Sequence, residues 1–262
     1  IQKQDEEKTG SITERLERRN SMVRKSVNLS KETHVVAANL DRAFLIATVV
    51  QPATSTGFMD RFLVTAHAYQ VPVTIVFNKV DVCAEGTPER AQLEYLEAVY
   101  ELAGIPTLRT SATTGEGLDS LTQELAASGV NLLSGHSGVG KSTLINALLP
   151  GTDLRTGEVS DAHQKGKHTT TFAEMFPLST GGFIIDTPGI KGFGLVHLER
   201  DHLHHYFPEI FRKLDGCKFH NCLHRNEPHC AVKKAVEEGE IAEERYVNYI
   251  ELYETFESNS YR

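Results

Sequence analysis

Three short motifs occur in an unusual order along the 262-residue chain. The run NKVD at residues 78–81, typical of a base-binding loop, precedes a phosphate-binding loop, GHSGVGKS, at residues 135–142. The run DTPG follows at residues 186–189. P-loop domains that carry all three motifs usually have the phosphate loop first and the base-binding motif last. The rotated order therefore predicts a circularly permuted P-loop domain.

Alternating strand and helix patterns predict the sheet that such a domain requires. The apolar runs typical of strands buried on both faces are residues 44–50, 73–77, 130–133 and 183–185. Helical stretches lie between them, and the clearest has Thr87 as N-cap, begins at Pro88 and stops at Gly104. The pattern predicts an α/β fold with a mostly parallel sheet covered by helices.

The phosphate-binding loop lies in the context that its motif requires, after a predicted strand and before a predicted helix that starts at Thr143. A chance glycine-rich loop would lack that context. We expect Lys141 to contact the β- and γ-phosphates and the Ser142 hydroxyl to bind Mg²⁺. The residues predicted to hold the phosphates are Ser137, Gly138, Val139, Gly140, Lys141, Ser142 and Thr143.

The NKVD run indicates which base the site accepts. Guanine presents two adjacent donors, N1–H and N2–H₂, and the carboxylate of Asp81 can accept both, whereas adenine would leave that carboxylate unpaired. The run TSA at residues 110–112 fits a backbone contact to the guanine carbonyl. The predicted base-binding residues are Asn78, Lys79, Asp81, Ser111 and Ala112. GTP is favoured over ATP, and a P-loop kinase or ATPase is disfavoured by Asp81 and by the lack of a second-substrate motif.

Two further segments are expected to sense the γ-phosphate. Asp186 would hold Mg²⁺ through water, and the N–H of Gly189 would contact the γ-phosphate. In the run GKHTTT at residues 166–171, either Thr169 or Thr170 completes the Mg²⁺ shell in the GTP state, and the sequence does not choose between them.

The hydrolytic machinery departs from the common pattern at one position. Ile190 follows Gly189, where many GTPases carry a glutamine that orients water, and an isoleucine cannot do so. Hydrolysis then needs another polar group, a partner, or a slow intrinsic rate. His168, beside the switch threonines, is the candidate within the chain; the alternative is a histidine in a solvent-facing loop.

A cluster of cysteine and histidine near the C-terminus predicts a metal site. Three thiolates and an imidazole within fourteen residues suit a closed, tetrahedral, structural Zn²⁺ site, with ligands Cys217, Cys222, His224 and Cys230. His220 and His229 compete with His224 as the nitrogen ligand, and the alternative to a metal site is a set of free thiols and surface histidines. His202, His204 and His205 are interpreted as a solvated helix face.

Composition limits the partners and the compartment. The net charge of −8 argues against non-specific nucleic-acid binding by the whole surface, but it leaves room for a local RNA-binding patch. No apolar run is long enough to span a bilayer, and the first residues do not resemble a signal peptide, so we expect a cytoplasmic protein without membrane contact. The chain starts at Ile1 rather than Met, and we expect a preceding segment to be missing. Residues 1–30 are polar, with a weak strand signal at residues 12–16.

The combination of features resembles one bacterial family. The rotated motif order, GHSGVGKST, GKHTTT, DTPG followed by Ile190, and the Cys-Cys-His-Cys loop are similar to the small-ribosomal-subunit-dependent GTPases of the RsgA/YjeQ type, from about residue 10 to the C-terminus. The resemblance implies a remnant of an N-terminal OB-fold β-barrel with linker at residues 1–30, a permuted GTPase domain at 31–195 and a small helical zinc-binding domain at 196–262.

The resemblance also implies a function. Members act in late maturation of the small (30S) ribosomal subunit, bind its rRNA, and hydrolyse GTP faster when bound to it. His168 matches the family's proposed hydrolytic histidine, and Lys141, Thr169 and Thr170 belong to the same machinery. A competing hypothesis is a zinc-dependent RNA-binding scaffold in which GTP only stabilises the fold. We expect a monomer, because neither a heptad repeat nor a broad apolar surface stripe is visible.

Overall fold

The computed structural model describes residues 2–3, 10–11, 13–14, 16–25, 33–149, 151–152, 154, 173–187 and 198–259. These residues form two short antiparallel hairpins, one six-stranded sheet with helices on both faces, and a C-terminal group of helices. Among them, no helix combines the length and the apolar character that crossing a lipid bilayer requires.

The N-terminal hairpins are β1 (Gln2–Lys3) with β2 (Gly10–Ser11), and β3 (Ser21–Lys25) with β4 (Thr33–Ala38). The strand signal at residues 12–16 is wrong, since none of the described residues there lies in a strand. Leu16 is 75% exposed, whereas Met22 of β3 is fully buried in the core of the sheet domain. The strand forms where an apolar side chain can be buried against the sheet domain.

The six strands of the central sheet are β5 (Arg42–Ala47), β6 (Val73–Phe77), β7 (Thr107–Arg109), β8 (Val130–Gly135), β9 (Glu174–Pro177) and β10 (Phe183–Asp186). Their spatial order is β7-β6-β5-β8-β10-β9, and all neighbours are parallel except β9, which runs antiparallel to β10. This confirms the mostly parallel sheet. The chain moves outward from β5 to β7 and returns to β8 on the other side of β5. Loops that bind ligands are expected at such a reversal, beyond the carboxyl ends of β5 and β8.

Helices cover the two faces of the sheet as α1 (Thr56–Ala68), α2 (Pro88–Ala103), α3 (Leu118–Ser128) and α4 (Lys141–Leu148). Strand β5 shows why both faces are apolar: Ala43 and Leu45 pack with α1 and α2, while Phe44 and Ile46 pack with α3 and α4. Successive side chains of a strand point to opposite faces, so a central strand needs apolar residues at every position.

Helix α2 has the bounds that its end signals predict. The Thr87 side chain accepts a hydrogen bond from the Arg90 N–H at 3.3 Å, Pro88 is the first helical residue, and Gly104 ends the helix with a left-handed φ of 83°. Residues without a Cβ adopt that conformation at little cost. The predicted helix at residues 143–149 is shifted, because α4 already begins at Lys141 of the phosphate loop.

No strand occurs in the C-terminal part that the structure describes, in agreement with the sequence analysis. Residues 198–259 contain a 3₁₀ helix (Arg200–Tyr206), α5 (Pro208–Phe211), a 3₁₀ turn (Leu214–Gly216), α6 (Ala231–Glu237) and α7 (Glu243–Asn259). They share an apolar core that also contains Val64 of α1. Helix α1 is therefore packed between the sheet and the C-terminal helices.

Charged side chains are also buried between the two parts of the molecule. The guanidinium of Arg245 in α7 is 1% exposed and pairs with Asp60 of α1 and with Glu209 of α5. Asp60 also accepts hydrogen bonds from Asn248 Nδ2 at 2.7 Å and from the Tyr100 hydroxyl at 3.0 Å. We refer to these five residues as the Arg245 cluster. It joins α1 and α2 of the sheet domain to α5 and α7.

Candidate nucleotide site and metal centre

The phosphate loop connects the carboxyl end of β8 to the amino end of α4, where the positive end of the helix favours anions. Gly138 and Gly140 have φ values of 88° and 86°, in the left-handed region. A Cβ on Gly140 would lie 2.6 Å from Asn78 Nδ2, and one on Gly135 would lie 2.5 Å from the carbonyl oxygen of Ile46. Glycine is therefore required both by the loop conformation and by the close packing of the neighbouring loops.

Two of the predicted phosphate and magnesium ligands face each other directly. Lys141 Nζ forms an ion pair with Oδ1 of Asp186, and the Lys141 side chain is nearly buried. The contact arises because β10 pairs with β8 in a register that places Asp186 opposite Leu133, close to the phosphate loop. Ser142 lies next to Lys141 in the first turn of α4 and is half-buried. The structure thus brings Lys141, Ser142 and Asp186 to one place.

The base-binding loop is hydrogen-bonded to the phosphate loop. Asn78 Nδ2 donates a hydrogen bond to the carbonyl oxygen of Val139 at 2.9 Å, and Asn78 Oδ1 accepts one from Thr110 Oγ1 at 3.2 Å. Lys79 Nζ donates to the carbonyl oxygens of Gly138 and Gln51, at 2.7 and 2.6 Å. Asn78 is 3% exposed, so its hydrogen bonds lie away from solvent. Both loops are consequently held in one fixed arrangement.

The second predicted base-binding segment lies beside the first. The N–H of Val80 donates to the carbonyl oxygen of Thr110 at 3.2 Å, which joins residues 78–81 to residues 110–112. Ser111 is fully buried, and its hydroxyl accepts a hydrogen bond from the Thr114 N–H at 3.2 Å. Asp81 is exposed, and Ala112 is half-buried. The carboxylate that would read guanine is therefore accessible from solvent, next to an ordered turn.

Several predicted site residues lie outside the described residues. They are His168, Thr169, Thr170, Gly189 and Ile190. Their predicted roles in magnesium binding, phosphate sensing and hydrolysis stay predictions.

The predicted metal ligands converge. One ligand atom from each of Cys217, Cys222, His224 and Cys230 lies within 4.8 Å of all the others. His224 Nδ1 is 3.6 Å from Cys217 Sγ and 3.4 Å from Cys230 Sγ, and those two sulfurs are 4.0 Å apart. Bond lengths of ~2.3 Å for sulfur and ~2.0 Å for nitrogen around a tetrahedral ion place ligand atoms roughly 3.5–3.8 Å apart. The spacing therefore fits one metal ion, with Nδ1 as the nitrogen donor.

Protonation of the ligands is consistent with this fit. Burial lowers the pKa of His224 to about 4, so the imidazole is neutral at physiological pH and free to donate a lone pair. Burial raises the pKa of Cys222 to about 12, which disfavours a thiolate unless a cation compensates its charge. His220 and His229, the alternative nitrogen ligands, are both exposed and lie outside the group of converging atoms.

The interpretation of the three upstream histidines as a solvated face is wrong for His204. The 3₁₀ helix turns this ring inward, where it meets the ring of His224 edge-on with centroids 5.2 Å apart. Burial is the largest cause that lowers the pKa of His204 to about 4. His202 and His205 are exposed as predicted. Because the candidate positions are all histidines, the sequence shows no alternation of apolar and polar residues that would indicate which side chain is buried.

Other contacts at the nucleotide site have no signal in the sequence. Gln51 supplies a carbonyl oxygen to Lys79, and the ring of His136 lies 3.7 Å from the ring of Phe58, measured between centroids. The first contact joins the base-binding loop, and the second the phosphate loop, to the loop and helix that follow β5. The second contact depends on the reversal between β5 and β8, which brings segments about eighty residues apart next to each other.

Known proteins share the sequence and the fold over nearly the whole chain. The family model described as RsgA GTPase matches residues 15–196. The chain belongs to the RsgA GTPase family. A small ribosomal subunit biogenesis GTPase RsgA from Bacteroides fragilis is 53% identical over 258 residues, 98% of this chain and 82% of the relative. Its counterpart from Porphyromonas gingivalis is 53% identical over 248 residues, 94% of this chain and 78% of the relative.

Two solved structures have the same fold. YjeQ from Thermotoga maritima superposes with a TM-score of 0.76 at 36% identity, covering 92% of this chain and 76% of that one. YloQ, described as a circularly permuted GTPase, gives a TM-score of 0.73 at 28% identity, covering 98% of this chain and 78% of that one. These similarities confirm the permuted α/β GTPase fold predicted from the motif order. They also identify the chain as a GTP-hydrolysing enzyme.

Proposed function

We propose that this protein binds the small (30S) ribosomal subunit, hydrolyses GTP faster when bound to it, and acts in the late maturation of that subunit. The observation that carries the proposal is the attachment of the base-binding loop to the phosphate loop through Asn78 and Lys79, at 2.9 and 2.7 Å. This arrangement supports a site in which Asp81 and the phosphate loop bind one nucleotide. Relatives about half identical over most of the chain are named for biogenesis of the small ribosomal subunit.

We assign roles in the nucleotide site as follows. Asp81 accepts the guanine donors, while Ser111 and Ala112 offer backbone contacts to the guanine carbonyl. Lys141 neutralises the β- and γ-phosphates and Gly189 contacts the γ-phosphate. Ser142, Asp186 (through water) and either Thr169 or Thr170 would hold the magnesium ion. The phosphates are surrounded by the residues of the loop, Ser137, Gly138, Val139, Gly140, Lys141, Ser142 and Thr143.

The hydrolytic step requires a group other than the glutamine that orients water in many GTPases. Ile190 cannot orient the attacking water, so we assign that task to His168. A histidine on a segment that also carries a magnesium ligand can be moved into position by a partner. The proposed stimulation by the small subunit follows from this dependence.

The C-terminal cluster is proposed to hold one structural Zn²⁺ through Cys217, Cys222, His224 and Cys230. Four protein ligands leave no open position for catalysis, and when bound the ion neutralises the three thiolates and fixes the loop. We further propose domains at residues 1–30, 31–195 and 196–262, with the first as the end of an OB-fold barrel and the last as a contact to rRNA. We also propose that the protein acts as a monomer in the cytoplasm.

The test is GTP turnover with and without purified small ribosomal subunits, at one stated salt concentration because rRNA binding depends on salt. We expect strong stimulation, lost in Lys141→Ala and retained in Arg90→Ala, a control whose guanidinium pairs with Glu94 on the exposed side of α2. Asp81→Ala should weaken GTP binding by about 100-fold or more and reduce the preference over ATP.

The same experiment separates the two functional hypotheses. Tight GTP binding without stimulation by small subunits would contradict the ribosome-coupled enzyme and support a scaffold in which GTP only stabilises the fold. His168→Ala then isolates the hydrolytic step, because its loss should lower stimulated turnover while GTP affinity is unchanged.

A further inference from the structure

The phosphate loop touches the beginning of α1 directly. His136 is the second residue of the loop, and its ring packs on Phe58 in the first turn of α1 with centroids 3.7 Å apart and planes tilted by 39°. Next to this contact, a Cβ on Gly138 would lie 3.1 Å from Cδ of Pro52, in the segment that leads into α1. The phosphate loop therefore packs directly against the amino end of α1 and the segment before it.

Helix α1 is joined to α7 two residues further on. Asp60 is completely buried and accepts hydrogen bonds from Arg245 and Asn248 of α7. Arg245 also donates from Nε to Glu209 at 2.7 Å, and its guanidinium stacks 4.7 Å from the ring centre of Phe207. A buried charge that loses its partners is costly, so this contact opposes sliding of α1 along α7.

Helix α7 in turn holds the metal-binding loop. The Tyr246 hydroxyl donates to the carbonyl oxygen of His224 at 2.7 Å, and the Tyr249 hydroxyl donates to that of Leu223 at 2.8 Å. Tyr246 directly follows Arg245 in the sequence, and Tyr249 is fully buried. The backbone of one metal ligand is thus positioned by the helix that carries the Arg245 cluster.

A small groove lies along the same line of contacts. It is lined by Ser55, Phe58 and Arg61 of the α1 region, by His136, and by Asn248 and Glu251 of α7. Gly57 also lines this groove, and a Cβ at that position would lie in ordinary van der Waals contact with α7, 3.7 Å from Asn248 Oδ1. The phosphate loop, α1 and α7 therefore meet at one place.

We propose that His136, Phe58 and the Arg245 cluster form a connection by which a nucleotide in the phosphate loop stabilises the metal centre. The inference rests on the proposed nucleotide site and adds a route that runs through α1 and α7. Coupling between two binding sites is reciprocal, so the metal ion raises nucleotide affinity by the same factor. The chain of packed contacts supplies the route, and only a coupling measurement establishes it.

The experiment measures the rate at which protein loaded with Zn²⁺ releases the ion to an excess of chelator, with and without saturating GDP and Mg²⁺. We expect GDP to slow release by about fivefold or more, the lower end of usual couplings between sites. GDP affinity is measured separately with a fluorescent analogue.

Two variants interrupt the connection at different ends. Asp60→Asn keeps the size of the side chain but removes the charge that pairs with Arg245, and Phe58→Leu removes the ring that packs on His136 while the Arg245 cluster stays intact. In both variants, GDP should slow the release of Zn²⁺ by less than about twofold. Because Phe58 is half-exposed, the second variant keeps the test available if the first folds poorly. The control is Val247→Ala, an exposed position on the same helix that should keep the full effect.

The outcomes are distinct. Equal release rates with and without GDP in the wild type, or a full effect in both variants, would overturn the inference while leaving the proposed nucleotide site intact. Failure of the wild type to bind GDP at all would overturn the proposed function and the inference resting on it.

Discussion

The sheet domain and the C-terminal helices bury different kinds of side chain. In the sheet domain, both faces of β5 and β6 are covered by aliphatic and aromatic residues from four helices. The C-terminal core contains two buried cysteines and the phenol rings of Tyr249 and Tyr253, with the buried guanidinium of Arg245 alongside. A segment of about 60 residues can bury only a modest apolar area. We therefore expect its order to depend on the proposed metal ion, on polar contacts and on the surface of α1.

The comparison predicts that the stability of the two regions responds to different changes. Stability of the sheet domain should respond to lost volume in its core and be indifferent to metal and to pH near neutrality. Stability of the C-terminal helices should respond to ligand chemistry and to charge. The following four changes separate these two behaviours.

The largest effect is expected from Cys230→Ser or from removal of the metal ion. Metal binding supplies on the order of 10 kcal/mol in small zinc domains, far more than a short helical segment can replace. Amide hydrogen exchange should lose protection throughout residues 198–259, while β5 and β6 stay protected. Unchanged protection of α7 in metal-free protein would contradict the comparison.

Arg245→Met should have the next largest effect, because it leaves Asp60 and Glu209 buried without their cation. Removing one partner of a buried ion pair costs about 3–5 kcal/mol. Matched urea titrations of the wild type and of the exposed-pair control Arg90→Met, which should change by less than about 1 kcal/mol, measure the loss.

The Arg245→Met loss should also depend on pH. Burial is the largest cause that raises the pKa of Asp60 already in the wild type, and removing Arg245 raises it further. A carboxyl with a raised folded pKa binds more protons folded than unfolded, so stability falls as pH rises above its unfolded value of about 4. The variant should therefore be less destabilised at pH 5 than at pH 8. An equal loss at both pH values would mean that packing rather than charge is responsible.

Leu125→Ala tests the other region. Leu125 of α3 is fully buried, in a core cluster that contains no residue of the C-terminal helices. Such truncations cost about 2–5 kcal/mol through lost burial and the remaining cavity. Urea unfolding should show the same loss at pH 5 and pH 8, and the Zn²⁺ release rate should be unchanged. A faster release would show that the two regions unfold as one unit.

The smallest effect is expected from Thr87→Ala at the start of α2. The side chain accepts the Arg90 N–H, and loss of such a cap costs about 1 kcal/mol. The measurement is thermal unfolding followed by circular dichroism. Since Thr87 Oγ1 also donates to the carbonyl oxygen of Ala84, Thr87→Ser is the control that keeps both hydrogen bonds.

The features that the sequence predicts well are those encoded locally. The phosphate loop, the four central strands and the ends of α2 each depend on residues within a few positions of one another, such as Thr87 and Gly104 at the two ends of one helix. The cluster of candidate metal ligands is also identifiable from the sequence, because all four residues lie in one short segment. The order of motifs fixed the permutation because it is a property of the chain alone.

The features that could not be predicted depend on distant partners. Arg245 lies in a polar helix beside Glu243 and Glu244 and has the pattern of a solvated face, yet it is buried because Asp60, 185 residues away, offers a carboxylate. His204 is buried for a similar reason, since its ring packs edge-on against that of His224, twenty residues away. Strand β9 is mostly exposed and has no clear apolar alternation, so only its pairing with β10 defines it.

The ion pair between Lys141 and Asp186 has a consequence for the species that enters the site. Lys141, the proposed phosphate ligand, and Asp186, the proposed magnesium ligand, pair with each other and so neutralise each other's charge. A nucleotide without magnesium would bind Lys141 and leave the carboxylate of Asp186 unpaired beside its phosphates. A magnesium ion without nucleotide would bind Asp186 and leave Lys141 unpaired. The complex of nucleotide and magnesium supplies a new partner to both residues at once, so it should bind more tightly than either component alone. GDP should therefore bind more weakly in EDTA than in Mg²⁺. Tight binding at this site should therefore require the nucleotide and the magnesium ion together.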